Sequence, residues 1–279
     1  KSGISTIFGV EDTGKSQMAL FLLLSIVGRK QFLGNNINAK DKKALLISTE
    51  DQREDIEVRL QNMVSNSNYL KDNLKRIYTR YTAQDPVETL RKFISVKGRE
   101  VDLVVLDCFG DIFPHDLRQL NQTRVFLQEF FELTNEHKFH IMFVHHSKKE
   151  SEERPPSHIN CSGVGLTAKG RTSIEFRKDP EDLNKRHLCI VKANHLAEEV
   201  KQDSIEVEFD HGNFKRTGSK QFDMLIINKE EKQALQDKVF DLHKLDKTQV
   251  EIGKELDLKQ YQVSRILKRA LHQEKYKNN

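Results

Sequence analysis

The chain reads as an α/β protein with a mostly parallel sheet, followed by a small all-α helix-turn-helix module. Three observations carry this reading. Short apolar runs alternate with longer helical patterns from Ile4 onward. A glycine-containing loop ending in Lys15-Ser16 stands where the first apolar run meets the first helical pattern. After Gln221 the prolines cease and the spacing of apolar residues is helical throughout.

The elements follow in order. Ile4–Phe8, Ala44–Ile47, Arg76–Tyr78, Leu103–Leu106 and His140–Val144 are short, mostly rich in Ile, Val or Phe, and read as buried strands. Between them Lys15–Val27, Arg53–Met63, Val87–Ser95 and Thr123–Glu136 carry helical spacing. Such alternation implies parallel strands with helices on both faces. Thr172–Phe176, His187–Val191 and Ile205–Phe209 then follow one another across short polar links. These are expected to add antiparallel strands at one sheet edge. Lys215 to Lys220 is polar, contains Gly218, and reads as a linker. The expected domains are therefore 1–218 and 219–279.

Composition bounds the rest. The 279 residues include 46 Lys+Arg and 42 Asp+Glu, a net charge of +4. Hydrophobic residues are 37 % and charged residues 32 %, against about 45–50 % and about 25 % in ordinary soluble domains. Apolar material is scarce, yet a chain of this length can bury a good core. The longest apolar run, Met18 to Val27, is interrupted by Ser25 and falls well short of the ~20 residues that span a bilayer. No membrane partner is expected. No secretory signal opens the chain, and it does not start with Met, so residues upstream of Lys1 are allowed for. Cys108, Cys161 and Cys189 are an odd set without C-x-x-C spacing. That pattern fits a reducing, cytoplasmic compartment.

Gly9-Val10-Glu11-Asp12-Thr13-Gly14-Lys15-Ser16 matches G-x-x-x-x-G-K-S/T in full, between a strand and a helix. The chemistry needs that context, because loop N–H groups and the helix dipole together cradle phosphate oxygens. Lys15 is expected to reach the β- and γ-phosphates. The Ser16 hydroxyl is expected on Mg²⁺. Gln17 completes the nucleotide-binding set. Glu11 and Asp12 put two carboxylates beside the phosphates, and the simplest expectation is that they point to solvent.

The second half of such a site is an acid ending an apolar strand. Asp107 closes Leu103-Val104-Val105-Leu106 and is expected to hold Mg²⁺ through water. Glu50, just after Ala44–Thr49, is the candidate for polarising the attacking water. Asp51 is expected to cap the helix that starts near Arg53. His146, in His145-His146-Ser147-Lys148, ends another strand and is the candidate γ-phosphate sensor.

These residues together resemble the P-loop NTPase core of RecA-like hexameric ATPases. The likeness is to plasmid RepA-type helicases, with DnaB-type helicases and RadA-type recombination ATPases as relatives. It runs from about Gly3 to Phe214. Its carriers are Gly9–Ser16, Ser48-Thr49-Glu50-Asp51 with Arg59-Leu60, Asp107, and Val144-His145-His146-Ser147-Lys148. The resemblance implies ATP and Mg²⁺ at subunit interfaces of a ring or filament, with a hexamer expected, and nucleic acid in the central channel. It also implies Glu50 as the catalytic carboxylate and His146 as the sensor.

In that family a late strand donates a Lys-x-Arg pair to the neighbour's γ-phosphate. Here Lys192 matches, but Asn194 stands at the Arg position. Arg171 and Arg177 are both open as substitutes, and hydrolysis is expected to be weak or partner-dependent. Lys148–Pro156 and Ser162–Arg171 read as flexible stretches suited to channel loops.

In the C-terminal module, Thr248 and Glu251 form a capping box, and Asp257-Leu258 makes a turn. Val250, Ile252, Leu256, Leu258, Val263, Ile266 and Leu267 are the expected core. A support helix over Lys229–Leu245 precedes them. The second helix, Lys259–His272, has no acid before Gln273 and carries Lys259, Arg265, Lys268 and Arg269. Gln260, Tyr261, Gln262 and Ser264 lie at its N-terminal end, where base edges or phosphates are met. DNA is therefore the expected partner. The leading expectation is a Mg²⁺-dependent ATPase that translocates on or unwinds DNA in replication or mobile-element maintenance. The alternative is an ATP-switched DNA-binding regulator, or a recombination or transfer accessory protein, without helicase activity.

Overall fold

The computed structural model describes residues 2–28, 31–37, 41–82, 84–96, 100–227, 229–258, 260–264 and 266–267. Side chains at 164 and 229–233 are left undescribed. The chain divides into two compact units, 1–226 and 227–279.

The first unit opens with β1 (Gly3–Gly9) and α1 (Lys15–Gly28), then a small hairpin of β2 (Gln31–Phe32) and β3 (Asn35–Asn36). It continues through β4 (Ala44–Ser48), α2 (Arg53–Val64), α3 (Asn68–Asn73), β5 (Ile77–Tyr81) and α4 (Pro86–Ile94). Next come β6 (Leu103–Asp107), α5 (Phe109–Ile112), α6 (Leu120–His137), β7 (His140–His146) and α7 (Val164–Lys169). Four strands close the unit: β8 (Thr172–Lys178), β9 (Lys185–Ala193), β10 (Asp203–Asp210) and β11 (Asn213–Gln221).

One nine-stranded sheet runs in the order β11-β10-β9-β8-β1-β7-β6-β4-β5. From β8 to β5 all neighbours are parallel. From β8 through β11 they are antiparallel. This is the α/β arrangement expected, with one refinement. β8 is parallel to β1, so the antiparallel edge begins one strand later.

Period-2 patterning explains the two cores. Ala44, Leu46, Leu103, Val105 and Ile7 pack on one face with α1 and α2. Leu45, Ile47, Val104, Leu106, Ile4 and Phe8 pack on the other with α4, α5 and α6. Strands buried on both faces must be apolar at every position, which is why they read as continuous runs. Helix α1 is apolar almost all round for the same reason, with Met18, Leu20, Phe21, Leu23, Leu24 and Val27 all buried. No helix among the described residues is long and apolar enough to cross a membrane.

Four local expectations in the first unit need correction. The strand expected at Arg76–Tyr78 is Ile77–Tyr81, because Arg76 closes a 3-10 turn over Leu74–Arg76. The expected linker at 215–220 is the body of β11, hydrogen-bonded to β10 as the sheet edge. Lys215, Arg216 and Thr217 are exposed there, and charge on an edge strand discourages pairing with other chains. Composition alone cannot separate such a strand from a linker. The stretch 162–171 is not a free loop: α7 occupies it, with Leu166 and Thr167 buried. Gly165 lies where a Cβ would meet Thr123 of α6, so close packing explains the glycine. Finally, Asp51 does not cap α2. The N-cap is Gln52, with no side-chain bond, and Asp51 instead pairs with Arg59 at 2.8 and 2.9 Å.

The second unit contains α8 (Lys229–Lys244) and α9 (Gln249–Glu255). Residues 260–264 and 266–267 are helical as well. Val239, Ile252, Val263 and Leu267 are its buried core, with Leu256, Leu258 and Ile266 packed against them. Val250 was expected there but is 49 % exposed, because it points off the other side of α9. The capping box is present. Thr248 accepts from the Glu251 amide, and the Glu251 carboxylate accepts from the Thr248 amide at 2.8 Å. Such a small unit depends on each local term. Thr248→Ala is expected to cost it about 1 kcal/mol, read as an earlier loss of helical signal in a thermal melt.

Candidate functional site

Parallel register brings the strand ends of the first unit side by side. Gly9 pairs with His146, Asp107 with Val144, and Ser48 with Asp107. Open α/β sheets bind ligands at this carboxyl edge. The edge forms the floor of a 730 Å³ cleft lined by residues 11–17, Glu50, Asp107 and His146, among others. That volume lies within the roughly 300–1,000 Å³ of ligand sites.

The phosphate loop is tightly shaped. A side chain at Gly9 would collide with the Phe176 carbonyl, and Gly14 sits at φ +90°. Both positions therefore require glycine. Thr13 Oγ1 donates to the Val10 carbonyl at 2.9 Å, and Lys15 Nζ donates to the same oxygen at 2.8 Å. Lys15 and Thr13 are buried, Ser16 and Gln17 half-buried. Glu11 and Asp12 are both exposed, and both also line the cleft.

Burial lowers the Lys15 pKa, opposed by the charges of Asp107, Cys108, Glu50 and Glu11. Asp107 shows the converse. Burial pushes its carboxyl up to about 6, with a Ser16 side-chain hydrogen bond acting against the rise. Its Oδ1 is buried and has no hydrogen-bond partner among the described residues. A buried carboxylate oxygen without a partner, beside a serine hydroxyl, is an oxygen donor set that suits Mg²⁺.

The folded carboxyl, at about 6, keeps its proton where the unfolded one, near 3.8, has lost it. Its stabilising contribution is full below the unfolded value and disappears as pH rises through 6. Asp107→Asn is therefore expected to stabilise the metal-free protein at pH 7.5 by up to about 3 kcal/mol. Thermal unfolding in EDTA, at pH 7.5 and at pH 4.5, checks it, because the gain should shrink at the lower pH.

Glu50 and His146 face each other, Glu50 Oε1 lying 3.3 Å from His146 Nε2. Both side chains are partly exposed, 45 % and 37 %. Thr49 locks the preceding turn. Its Oγ1 donates to Asp111 Oδ2 at 2.6 Å and accepts from the Cys108 amide at 2.9 Å. The neighbouring His145 is buried, which lowers its pKa to about 4. Its Nε2 lies 2.8 Å from the Ser162 carbonyl. A carbonyl only accepts, so the neutral ring carries its hydrogen on Nε2.

Sequence reasoning missed several residues here. Arg186 of β9 donates from Nε to the Thr13 carbonyl at 3.0 Å and lines the cleft. Phe209, Asn184 and Leu183 line it as well. Gln17 does not only face the cleft, since its Nε2 donates to the Gly212 carbonyl at 2.6 Å. None of these has a local signal, because the antiparallel edge that brings them to the loop is distant in sequence.

Other expected residues lie elsewhere. Lys192 does not line its own chain's cleft; its Nζ donates to the Thr167 and Ala168 carbonyls at 2.7 and 3.0 Å. Arg177, one of the two substitutes for the missing arginine, is excluded from that role. Its side chain is 1 % exposed and paired with Glu175 at 2.8 Å. Arg171 is half-buried against Phe131 and donates to the Ser2 carbonyl. In the second unit Gln260 and Tyr261 are exposed and Gln262 and Ser264 half-buried. Lys259, Arg265, Lys268 and Arg269 lie outside the described residues.

Residues 1–152 match the AAA domain family. Among solved structures, one described as an ATPase domain aligns with a TM-score of 0.58 at 13 % identity. The alignment covers 78 % of this chain and 85 % of that one. At such low identity the likeness is one of fold: a RecA-like P-loop core. No curated protein matches the sequence.

Proposed function

Since the chain belongs to the AAA domain family, we propose that it is a Mg²⁺-dependent ATPase that binds DNA and couples hydrolysis to translocation or strand separation. RepA-type and DnaB-type helicases supply the functional analogy. The observation that carries the reading is the convergence of Lys15, Ser16, Asp107, Glu50 and His146 on one cleft, from four strand ends.

The roles follow from position. Lys15 and the loop amides hold the β- and γ-phosphates. Ser16 and Asp107 would hold Mg²⁺, which when bound offsets charge on the phosphate oxygens. Glu50 orients a water and accepts its proton. His146 holds the Glu50 carboxylate through Nε2 and senses the γ-phosphate, passing its loss to the segment after β7. Because Lys192 is remote from its own cleft, it serves a neighbouring subunit in a ring or filament, with a hexamer the expected form. Gln260, Tyr261, Gln262 and Ser264, with Lys259, Arg265, Lys268 and Arg269, contact DNA. Three buried free cysteines accord with a reducing, cytoplasmic setting.

A second reading is an ATP-switched DNA-binding regulator. Two observations favour it: Asn194 replaces the family's arginine, and Arg177 is locked in the core. ATPase rates without DNA, with single strands and with duplex, beside a strand-displacement assay, separate the two. DNA-stimulated hydrolysis with unwinding supports the motor. Duplex binding without unwinding supports the switch. Absence of DNA binding with and without ATP ends both.

A further inference from the structure

We propose that Glu50, Cys108 and His146 form a second cation site, one that takes Zn²⁺ rather than Mg²⁺ and, when filled, stops hydrolysis. The metal site stands on its own three residues. Only the loss of hydrolysis rests on the role proposed above for Glu50.

The sheet assembles the set. Glu50 follows β4, Cys108 follows β6 and His146 ends β7, and β6 lies between β4 and β7. Each residue presents a ligand atom, and those atoms all lie within 4.8 Å of one another. Zinc bonds of about 2.0–2.3 Å in a tetrahedral shell put ligand atoms about 3.5 Å apart. Glu50 Oε1 and His146 Nε2 already stand at 3.3 Å. Cys108 is the fixed member: it is 2 % exposed, and its amide donates to Thr49 Oγ1 at 2.9 Å. The partly exposed Glu50 and His146 side chains close the remaining gap by rotation. All three line the cleft, so a metal enters from it and the fourth position falls to water.

The donor types decide which metal. Thiolate and imidazole suit Zn²⁺, whereas Mg²⁺ takes oxygen. Ser16 and Asp107 offer oxygen alone, so the two neighbouring sites sort the two cations. The donors are also available. His146 Nδ1 is buried and has no hydrogen-bond partner among the described residues. The Cys108 thiol donates to His145 Nδ1, a weak contact at 3.9 Å. Burial first, and then the carboxylates of Glu50, Asp107 and Asp111, raise the Cys108 pKa. The charge that disfavours a lone thiolate attracts a divalent cation. On binding, the S–H bond breaks, the Zn–S bond forms and the proton passes to solvent.

Another group of similar size, Asp179, His187 and Glu206, lacks this freedom. Lys220 Nζ lies 3.1 Å from Asp179 Oδ2, and Lys185 Nζ lies 2.8 Å from Glu206 Oε1. Two ammonium groups stand there in place of a cation.

Zinc held at Glu50 removes the carboxylate that accepts the water proton, while Lys15 and the loop amides keep their hold on the phosphates.

Titration of the full chain with Zn²⁺ in excess Mg²⁺, against a chromophoric chelator, tests the site, with Co²⁺ as the spectroscopic probe. One zinc is expected per chain, and cobalt should show a thiolate charge-transfer band. Cys108→Ala and Cys108→Ser should lose the band and bind zinc at least about 100-fold more weakly, beyond the loss of an outer-shell partner. Cys161→Ala should keep both. Zinc should lower the Mg·ATP hydrolysis rate of the parent by about 10²-fold and leave nucleotide affinity in place. In Cys108→Ala the ratio of rates with and without zinc should return to about one. No zinc binding in excess Mg²⁺, a cobalt complex without the thiolate band, or a band that survives both Cys108 substitutions overturns the proposal. So does zinc inhibition that is equal in the parent and in Cys108→Ala. The catalytic reading of Glu50 fails separately, if Glu50→Gln hydrolyses as fast as the parent; the metal site is then judged by the cobalt band alone.

Discussion

Glu50→Gln is expected to lower kcat for ATP hydrolysis by about 10²–10³-fold while Mg·ATP affinity stays close to that of the unaltered protein. The amide keeps the shape and can still meet His146 Nε2, which lies 3.3 Å from Oε1 in the parent. It cannot accept the proton of the attacking water. Lys15 and Asp107 are untouched, so the phosphates and metal remain held. Steady-state hydrolysis beside nucleotide titration reads the two effects apart. A kcat that does not fall removes Glu50 from the reaction. A loss of affinity equal to the loss of rate makes it a binding group instead.

Arg177→Met is expected to be the most damaging of the stability changes, at about 3–5 kcal/mol. Arg177 and Glu175 are each 1 % exposed and 2.8 Å apart. Removing the guanidinium leaves a buried carboxylate that burial already pushes toward protonation. It also strips donors from the carbonyls of Ser151, Arg154 and Leu225. Glu175→Leu combined with Arg177→Met should recover part of the loss, because no unpaired charge remains. It should stay below the parent, since Asn160 Nδ2 and the Ser157 amide also lose their acceptor. Urea unfolding of the three variants tests this. A double variant no better than the single would place the energy in the carbonyl contacts rather than in the pair.

The two residues also pin the segment after His146 to the sheet. Glu175 accepts from Ser157 and Asn160, and Arg177 holds Ser151 and Arg154. The stretch from Lys148 to Pro156 reads in sequence as a flexible loop. In the fold its backbone is clamped from below while side chains such as Lys149 and Glu150 remain exposed. The segment that leaves His146 is therefore braced against the sheet.

Local chemistry made much of the site legible. Gly9–Ser16 declares itself because only glycine fits at Gly9 and Gly14, and because a strand before and a helix after are visible in apolar spacing. Asp107 and Glu50 are legible because each follows a run of buried strand residues. Thr248 and Glu251 are legible because a capping box depends on residues three apart. Where the reading failed, the deciding partner was far along the chain or hidden in the packing. Asp51 looks like a cap until Arg59 takes its carboxylate. Arg177 looks like an available cation until Glu175 and three carbonyls enclose it. Residues 215–220 look like a linker until β10 supplies the ladder.

The residue pattern thus settles the class of the core, the phosphate loop and the acids at the strand ends, because each is written in neighbours or in short periods. Tertiary structure decides which distant residues line the cleft. Arg186, Asn184 and Phe209 come from the antiparallel edge, more than 160 residues after the phosphate loop whose cleft they line, and only pairing across the sheet brings them there. Hydrogen bonding and burial between such distant segments have no period along the chain, so no window of sequence contains them.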